Sequence, residues 1–68
     1  MKIIRLSGVI ETTGLARSTI YKLIGEGDFP RPVPLTPRSV GWLENEVHEW
    51  IKGRITQRDL RDSDTGTA

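Results

Sequence analysis

One short segment carries hydrogen-bonding and cationic side chains on a single face at helical spacing. These side chains belong to Arg17, Ser18, Tyr21 and Lys22, with Thr19 in the same turn. A helix that presents such groups, and that is held by its other face, suits a DNA major groove, where base edges and phosphates accept hydrogen bonds. The pattern therefore predicts a recognition helix. The apolar residues at helical spacing behind it are Ile20, Leu23 and Ile24.

The alternative is an ordinary amphipathic helix whose outer face is merely solvated. Two residues argue against it. Arg17 falls in the first turn, where a cation opposes the helix dipole by roughly 0.3–1 kcal/mol, and Tyr21 is an aromatic residue on the outer face. An anionic groove explains both residues, Arg17 through guanine edges or phosphate and Tyr21 through phosphate or a thymine methyl group.

A sharp turn precedes this helix. Gly14 stands where two short helices must meet, a position that favours glycine because φ is often positive there. Leu15 is expected to fill the gap between the two helices. The hydroxyl groups of Thr12 and Thr13 have two interpretations, which are contact with DNA phosphate or capping of the turn. Together these features predict a helix-turn-helix.

The boundaries of the two helices follow from their flanking residues. Ser7 is the expected N-cap of the first helix, which ends at residues 12–14. The second helix should begin near Ala16, which lacks a side-chain acceptor for capping. It should end at Gly25 or Glu26.

A proline-rich segment follows the second helix. All four prolines lie in residues 28–37, which excludes a helix and a central strand there. Val33 and Leu35 alternate with prolines and predict a short edge strand. A turn at residues 36–39 and a second strand at residues 40–43 would complete a hairpin. Such a hairpin is typical of a wing, and its basic and polar residues would contact DNA backbone or minor groove: Arg31, Arg38 and Ser39. The alternative for the two arginines is a plain solubilising role on the surface.

A third helix is predicted from Glu44 to about Gln57. Its apolar residues recur at helical spacing, so Trp50 is interpreted as core together with Val47 and, from the preceding strand, Trp42. Stacking of the two tryptophans on bases is the less favoured alternative. Residues 59–68 are polar and are expected to form a flexible tail, so residues 1–58 are the predicted domain.

Composition limits the possible functions. The chain has 68 residues, no cysteine and one histidine, His48. No enzyme, metal site or cofactor is therefore expected. No apolar run approaches the length of a membrane span and no signal peptide is recognisable, so a cytoplasmic location is expected. Residues 1–43 carry six basic and three acidic residues, whereas residues 44–68 carry four and six. The positive field belongs to the helix-turn-helix and hairpin.

Several separated motifs in order resemble the AlpA-type prophage regulators. The resemblance covers roughly residues 3–58. Its motifs are Arg5-Leu6, Val9-Ile10, residues 13–21, residues 27–33, Leu35, residues 38–42, Glu46-Val47 and Trp50-Ile51. That family is similar to phage excisionases and to the winged-helix domain of the MerR group. The resemblance implies a mainly α winged helix-turn-helix with a small β-hairpin, in which residues 17–22 match the recognition helix and Arg38 with its neighbours matches the wing.

The resemblance implies binding to double-stranded DNA and leaves three functions open. The first is a sequence-specific transcriptional regulator of a prophage or other mobile element that controls an integrase or excision function. The second is an architectural excisionase that bends DNA for a recombinase. The third, from another class, is a protein-interaction adaptor or anti-repressor. Integrase and RNA polymerase are further candidate partners, and a monomer that assembles on DNA is expected.

Overall fold

The computed structural model describes residues 1–65, with side chains to residue 61. Three helices pack around a small antiparallel sheet, as expected for a winged helix-turn-helix. The elements in chain order are β1 (Ile3–Ile4), α1 (Leu6–Thr13), α2 (Arg17–Gly25), β2 (Val33–Thr36), β3 (Ser39–Leu43) and α3 (Glu44–Thr65).

The sheet has three strands, one more than the hairpin expected from the sequence. Strand order is β1-β3-β2, and Ile4 of β1 pairs with Trp42 of β3. Two residues were too short a run to be recognised as a strand. Strand β2 is an edge strand, as its proline predicted, and its register with β3 shifts between Pro34 and Thr36.

The centre of the sheet depends on a residue without a side chain. Gly41 of β3 is buried. A Cβ atom placed on it would collide with Cγ2 of Ile3 and would lie 3.2 Å from both the Ile4 carbonyl oxygen and Cδ1 of Leu35. Strands β1 and β2 therefore approach β3 closely only because position 41 is glycine.

One core joins all the elements. Its fully buried side chains are Val9, Ile20, Trp42 and Val47, and Phe29 is 5% exposed. The helices α1, α2 and α3 each supply one of these residues, so the recognition helix is held by its inner face. The indole N–H of Trp42 donates to the Pro30 carbonyl oxygen at 3.1 Å, which satisfies its polar atom inside the core.

Two predicted core residues lie at its edge instead. Trp50 and Ile24 are half-buried and pack against the core from outside. Trp50 donates its indole N–H to the Asp28 carbonyl oxygen and meets Phe29 edge to face at 4.8 Å. Phe29, from the loop after α2, is a buried core residue that was not predicted, because a loop residue has no periodicity that would reveal its burial.

The two ends of α1 correct one expectation and confirm another. Helix α1 begins at Leu6 with Arg5 as N-cap, and no side chain caps it. Ser7 therefore lies within the first turn, and its predicted capping role is wrong. The other end is as predicted, because Gly14 has φ 74° and its N–H donates to the Ile10 carbonyl oxygen at 2.7 Å.

Helix α2 runs between the predicted limits and ends in a Schellman motif. Gly27 has φ 78°. Its N–H donates to the Ile24 carbonyl oxygen at 3.1 Å, and the Asp28 N–H donates to that of Leu23 at 2.8 Å. These bonds set the direction in which the chain leaves α2, and the loop that follows places Phe29 in the core.

Helix α3 does not end near Gln57 but continues to Thr65. Residues 59–65 of the predicted tail therefore belong to α3, its flexibility stays a prediction, and residues 66–68 lie outside the described part of the chain. Every described side chain from Lys52 to Arg61 is exposed, which explains the error, since this stretch lacks the apolar period that reveals a buried helix. None of the helices within residues 1–65 is long and apolar enough to cross a bilayer.

Candidate nucleic-acid interface

The outer face of α2 is open to solvent as predicted. Arg17, Ser18, Tyr21 and Lys22 are exposed, and Thr19 is half-buried. The opposite face holds the fully buried Ile20 against the core. The structure thus brings the four predicted side chains together on one free surface of a fixed helix.

Charge is distributed unevenly along this helix. Arg17 is its first residue and Lys22 lies in its last turn, and α2 contains no acidic residue. Lys22 is favourably placed beside the negative end of the helix dipole, whereas Arg17 stands at the positive end. The guanidinium carbon of Arg17 lies 6.0 Å from the centre of the Tyr21 ring.

The turn before α2 has its own hydrogen bonds. The Thr13 hydroxyl donates to the Val9 carbonyl oxygen at 2.8 Å and accepts from the Leu15 N–H at 3.2 Å. Both bonds tie the end of α1 to the start of the turn. Of the two interpretations of Thr13, this geometry favours capping of the turn. Leu15 packs against the core, as expected, and Thr12 is exposed.

The hairpin tip carries an arginine whose backbone is held by a hydrogen bond. The Arg38 N–H donates to the Thr36 hydroxyl oxygen at 3.2 Å, a local bond that holds the turn while the guanidinium group stays in solvent. Ser39 begins β3 and is half-buried. Arg31 is exposed just before β2. The two basic residues of the predicted wing, Arg31 and Arg38, are therefore exposed to solvent on either side of β2.

The ion pairs among the described residues all involve α3, although Arg54 of that helix takes part in none of them. Within residues 1–61 the ion pairs are Lys2–Glu44 at 3.9 Å, Lys52–Glu49 at 3.5 Å and Arg58–Asp59 at 2.9 Å. Every one of them uses an acidic residue of α3. The cations between residues 5 and 38 take part in none of these pairs: Arg5, Arg17, Lys22, Arg31 and Arg38.

Arg5 was not among the DNA-contacting residues predicted from the sequence. It is exposed and lies at the N-cap position of α1. The available signal was its charge beside a short apolar run, but only the tertiary structure shows that it forms no ion pair with the described carboxylates. Residues 5–38 carry these five cations and three carboxylates, those of Glu11, Glu26 and Asp28, so the helix-turn-helix and the hairpin have a formal net charge of 5 − 3 = +2.

The part of the chain that the structure describes contains no arrangement of side chains suited to metal binding or to base stacking by Trp42. No group of three or more histidine, cysteine, aspartate or glutamate residues is placed to hold a metal ion. His48 is exposed on α3, and Trp42 is too deeply buried to stack on a base. A shallow groove of about 550 Å³ lies between α3 and the loop after α2.

Comparison with known proteins agrees with this geometry. The family model described as Prophage CP4-57 regulatory protein (AlpA) matches residues 2–55. The chain is 46% identical over 57 residues to the uncharacterized protein ORF88 of Enterobacteria phage P4, an alignment that spans 84% of this chain and 65% of the phage protein.

A second relative has a described function. The chain is 40% identical over 60 residues to the DNA-binding transcriptional activator AlpA of Escherichia coli (strain K12), covering 79% of this chain and 86% of that protein. The region matched by the family model contains both helices of the helix-turn-helix, the hairpin and the first half of α3. The chain therefore belongs to the AlpA family of prophage regulatory proteins.

Proposed function

We propose that this protein is a sequence-specific DNA-binding transcriptional regulator of a prophage or other mobile element, and that it controls an integrase or excision function. The observation that carries the proposal is the set of five cations on the helix-turn-helix and hairpin that belong to no ion pair of the described residues. Leaving cations unpaired on one region favours an anionic partner. The relative named a DNA-binding transcriptional activator supports the same conclusion.

Different side chains are suited to different contacts. Arg17 stands at the start of α2, and its planar group offers paired donors that match the O6 and N7 atoms of guanine. Ser18 and Thr19 add hydroxyl groups beside it. Lys22 is a point charge at the other end of the helix and suits phosphate. In this proposal α2 enters the major groove.

The hairpin supplies the second contact. Arg38 at its tip and Arg31 at its base would bind backbone phosphates, which positions the protein without reading sequence directly, or the minor groove, where the readout distinguishes A·T from G·C pairs. Ser39 lies next to Arg38 and would add a hydroxyl donor. Thr13 remains the weakest member of the predicted DNA surface because its hydroxyl is already used in the turn.

A salt titration of duplex binding tests the proposal. Each phosphate contact contributes a log–log slope of about −0.9, so phosphate contacts from the four cations other than Arg17 predict a slope of about −3.6. Arg38→Ala should reduce the slope by about 0.9. Arg58→Ala is the matched control, because Arg58 is already paired with Asp59 on α3, and it should leave the slope unchanged. Salt-independent or undetectable duplex binding would instead favour a protein-interaction adaptor.

Footprinting separates the two DNA-binding functions. One short protected site near a promoter supports the regulator, and a phased array beside an attachment site supports an architectural excisionase. A monomer that assembles on DNA is the proposed state, and integrase or RNA polymerase is the proposed protein partner. Sedimentation of the free protein and of its DNA complex measures the first of these properties directly.

A further inference from the structure

We propose that Tyr21 is a positioning residue. Its ring holds the Arg17 guanidinium group on the exposed face of α2, in a position from which it can hydrogen-bond to a base. This role rests on the proposed DNA-binding function and adds a source of specificity to it. It differs from a direct contact of Tyr21 with phosphate or a thymine methyl group, because here Tyr21 acts through Arg17.

Helix geometry brings the two side chains together. Residues four positions apart lie one above the other on a helix, and helical side chains lean toward the N-terminus. The Tyr21 ring therefore leans over the turn that begins with Arg17, and the guanidinium carbon lies 6.0 Å from the ring centre. That distance is at the outer limit of a cation–π contact.

Nothing else among the described residues is placed to hold Arg17. Helix α2 contains no acidic residue, and Arg17 takes part in none of the described ion pairs. At the first position of the helix the dipole also repels its charge. The ring is thus the contact that the structure provides for this guanidinium group.

The kind of contact matters for base recognition. A carboxylate would use the guanidinium N–H groups in hydrogen bonds, and the same groups are needed for guanine. A ring face attracts the cation without using any N–H donor. Tyr21 therefore restricts the side chain of Arg17, which reduces the entropy lost on binding, and leaves all five donors available.

Two substitutions at position 21 separate the ring from the hydroxyl group. Tyr21→Phe keeps the ring, and Tyr21→Leu removes it while keeping an apolar side chain in a helix. Tyr21 is 43% exposed, so both variants should fold, which thermal melting checks. Binding-site selection and affinity are then measured for the parent, both variants, Arg17→Ala and the double variant Arg17→Ala/Tyr21→Leu.

We expect Tyr21→Leu to weaken specific binding by about two- to fivefold, the range of an exposed cation–π contact. It should relax base preference at the positions that Arg17→Ala relaxes. Tyr21→Phe should retain the preference of the parent. In the Arg17→Ala background, the loss of the ring should have little further effect, because the two residues act as one unit.

Three results would overturn the proposal. They are equal effects of Tyr21→Leu with and without Arg17, a loss in Tyr21→Phe as large as in Tyr21→Leu, and relaxed preference at unrelated base positions.

The ring-current shift of the Arg17 side-chain protons, measured by NMR without DNA, is an independent readout. It should persist in Tyr21→Phe and disappear in Tyr21→Leu. If the parent protein shows this shift but binds no duplex, the proposed function is refuted, and the role of Tyr21 is refuted with it. If the parent protein binds DNA but shows no shift, only the positioning role is refuted.

Discussion

Gly41 and Gly53 provide a matched pair of glycine-to-alanine substitutions with opposite expected effects on stability. Neither glycine has positive φ, so alanine is compatible with the backbone at both positions and reduces the entropy of the unfolded chain. The difference lies in the space around each Cβ position. Gly53, on the exposed part of α3, has no heavy atom within 4 Å of that position.

At Gly41 the added methyl group would meet three neighbours. Cδ1 of Leu35 is a flexible side-chain end, but the Ile4 carbonyl oxygen at 3.2 Å is backbone. Cγ2 of Ile3 belongs to a β-branched side chain with restricted rotamers. Overpacking of this kind costs about 1–3 kcal/mol. Gly53→Ala should instead stabilise the helix by about 1 kcal/mol.

Urea unfolding followed by tryptophan fluorescence measures both effects. Since 1 kcal/mol corresponds to roughly 4–8 °C in a domain of this size, thermal melting should show the same opposite signs. A Gly41→Ala variant at least as stable as the parent would refute the steric argument. The clash with Ile3 has its own test: Gly41→Ala should cost less in an Ile3→Ala background, because the two sites are in contact.

Three further outcomes are expected. Trp42→Ala, which empties a fully buried site, should lower the free energy of unfolding by about 3–5 kcal/mol. Trp50→Ala should lower it less, because that side chain is half-buried. Equal losses for the two variants in urea unfolding would contradict this order. Arg38→Ala should weaken binding to specific and random duplexes by similar factors, and a loss confined to the specific site in titrations would make it a base reader. Arg17→Ala should lower affinity and relax base preference by about 1–3 kcal/mol at one or two positions, whereas Lys22→Ala should lower affinity alone, as binding-site selection would show.

The sequence determined the helix-turn-helix and the hairpin, because both depend on local rules. The spacing of Ile20 behind Arg17 and Tyr21 indicated which face of α2 is buried, and positive φ at Gly14 followed from the turn between two helices. The prolines of residues 28–37 excluded every element except an edge strand and turns. Each of these signals acts within a few residues, so no knowledge of the remaining chain was needed.

Only the tertiary structure decided which groups meet across the chain. Strand β1 exists because Ile4 pairs with Trp42, far away in sequence. Phe29 is buried because the loop after α2 folds back to the core, and Trp50 packs against that core at its edge. The extension of α3 beyond Gln57 carries no apolar period that the sequence could show. The pairing of Lys2 with Glu44 also joins residues far apart in sequence, so only the tertiary structure shows that this cation is paired.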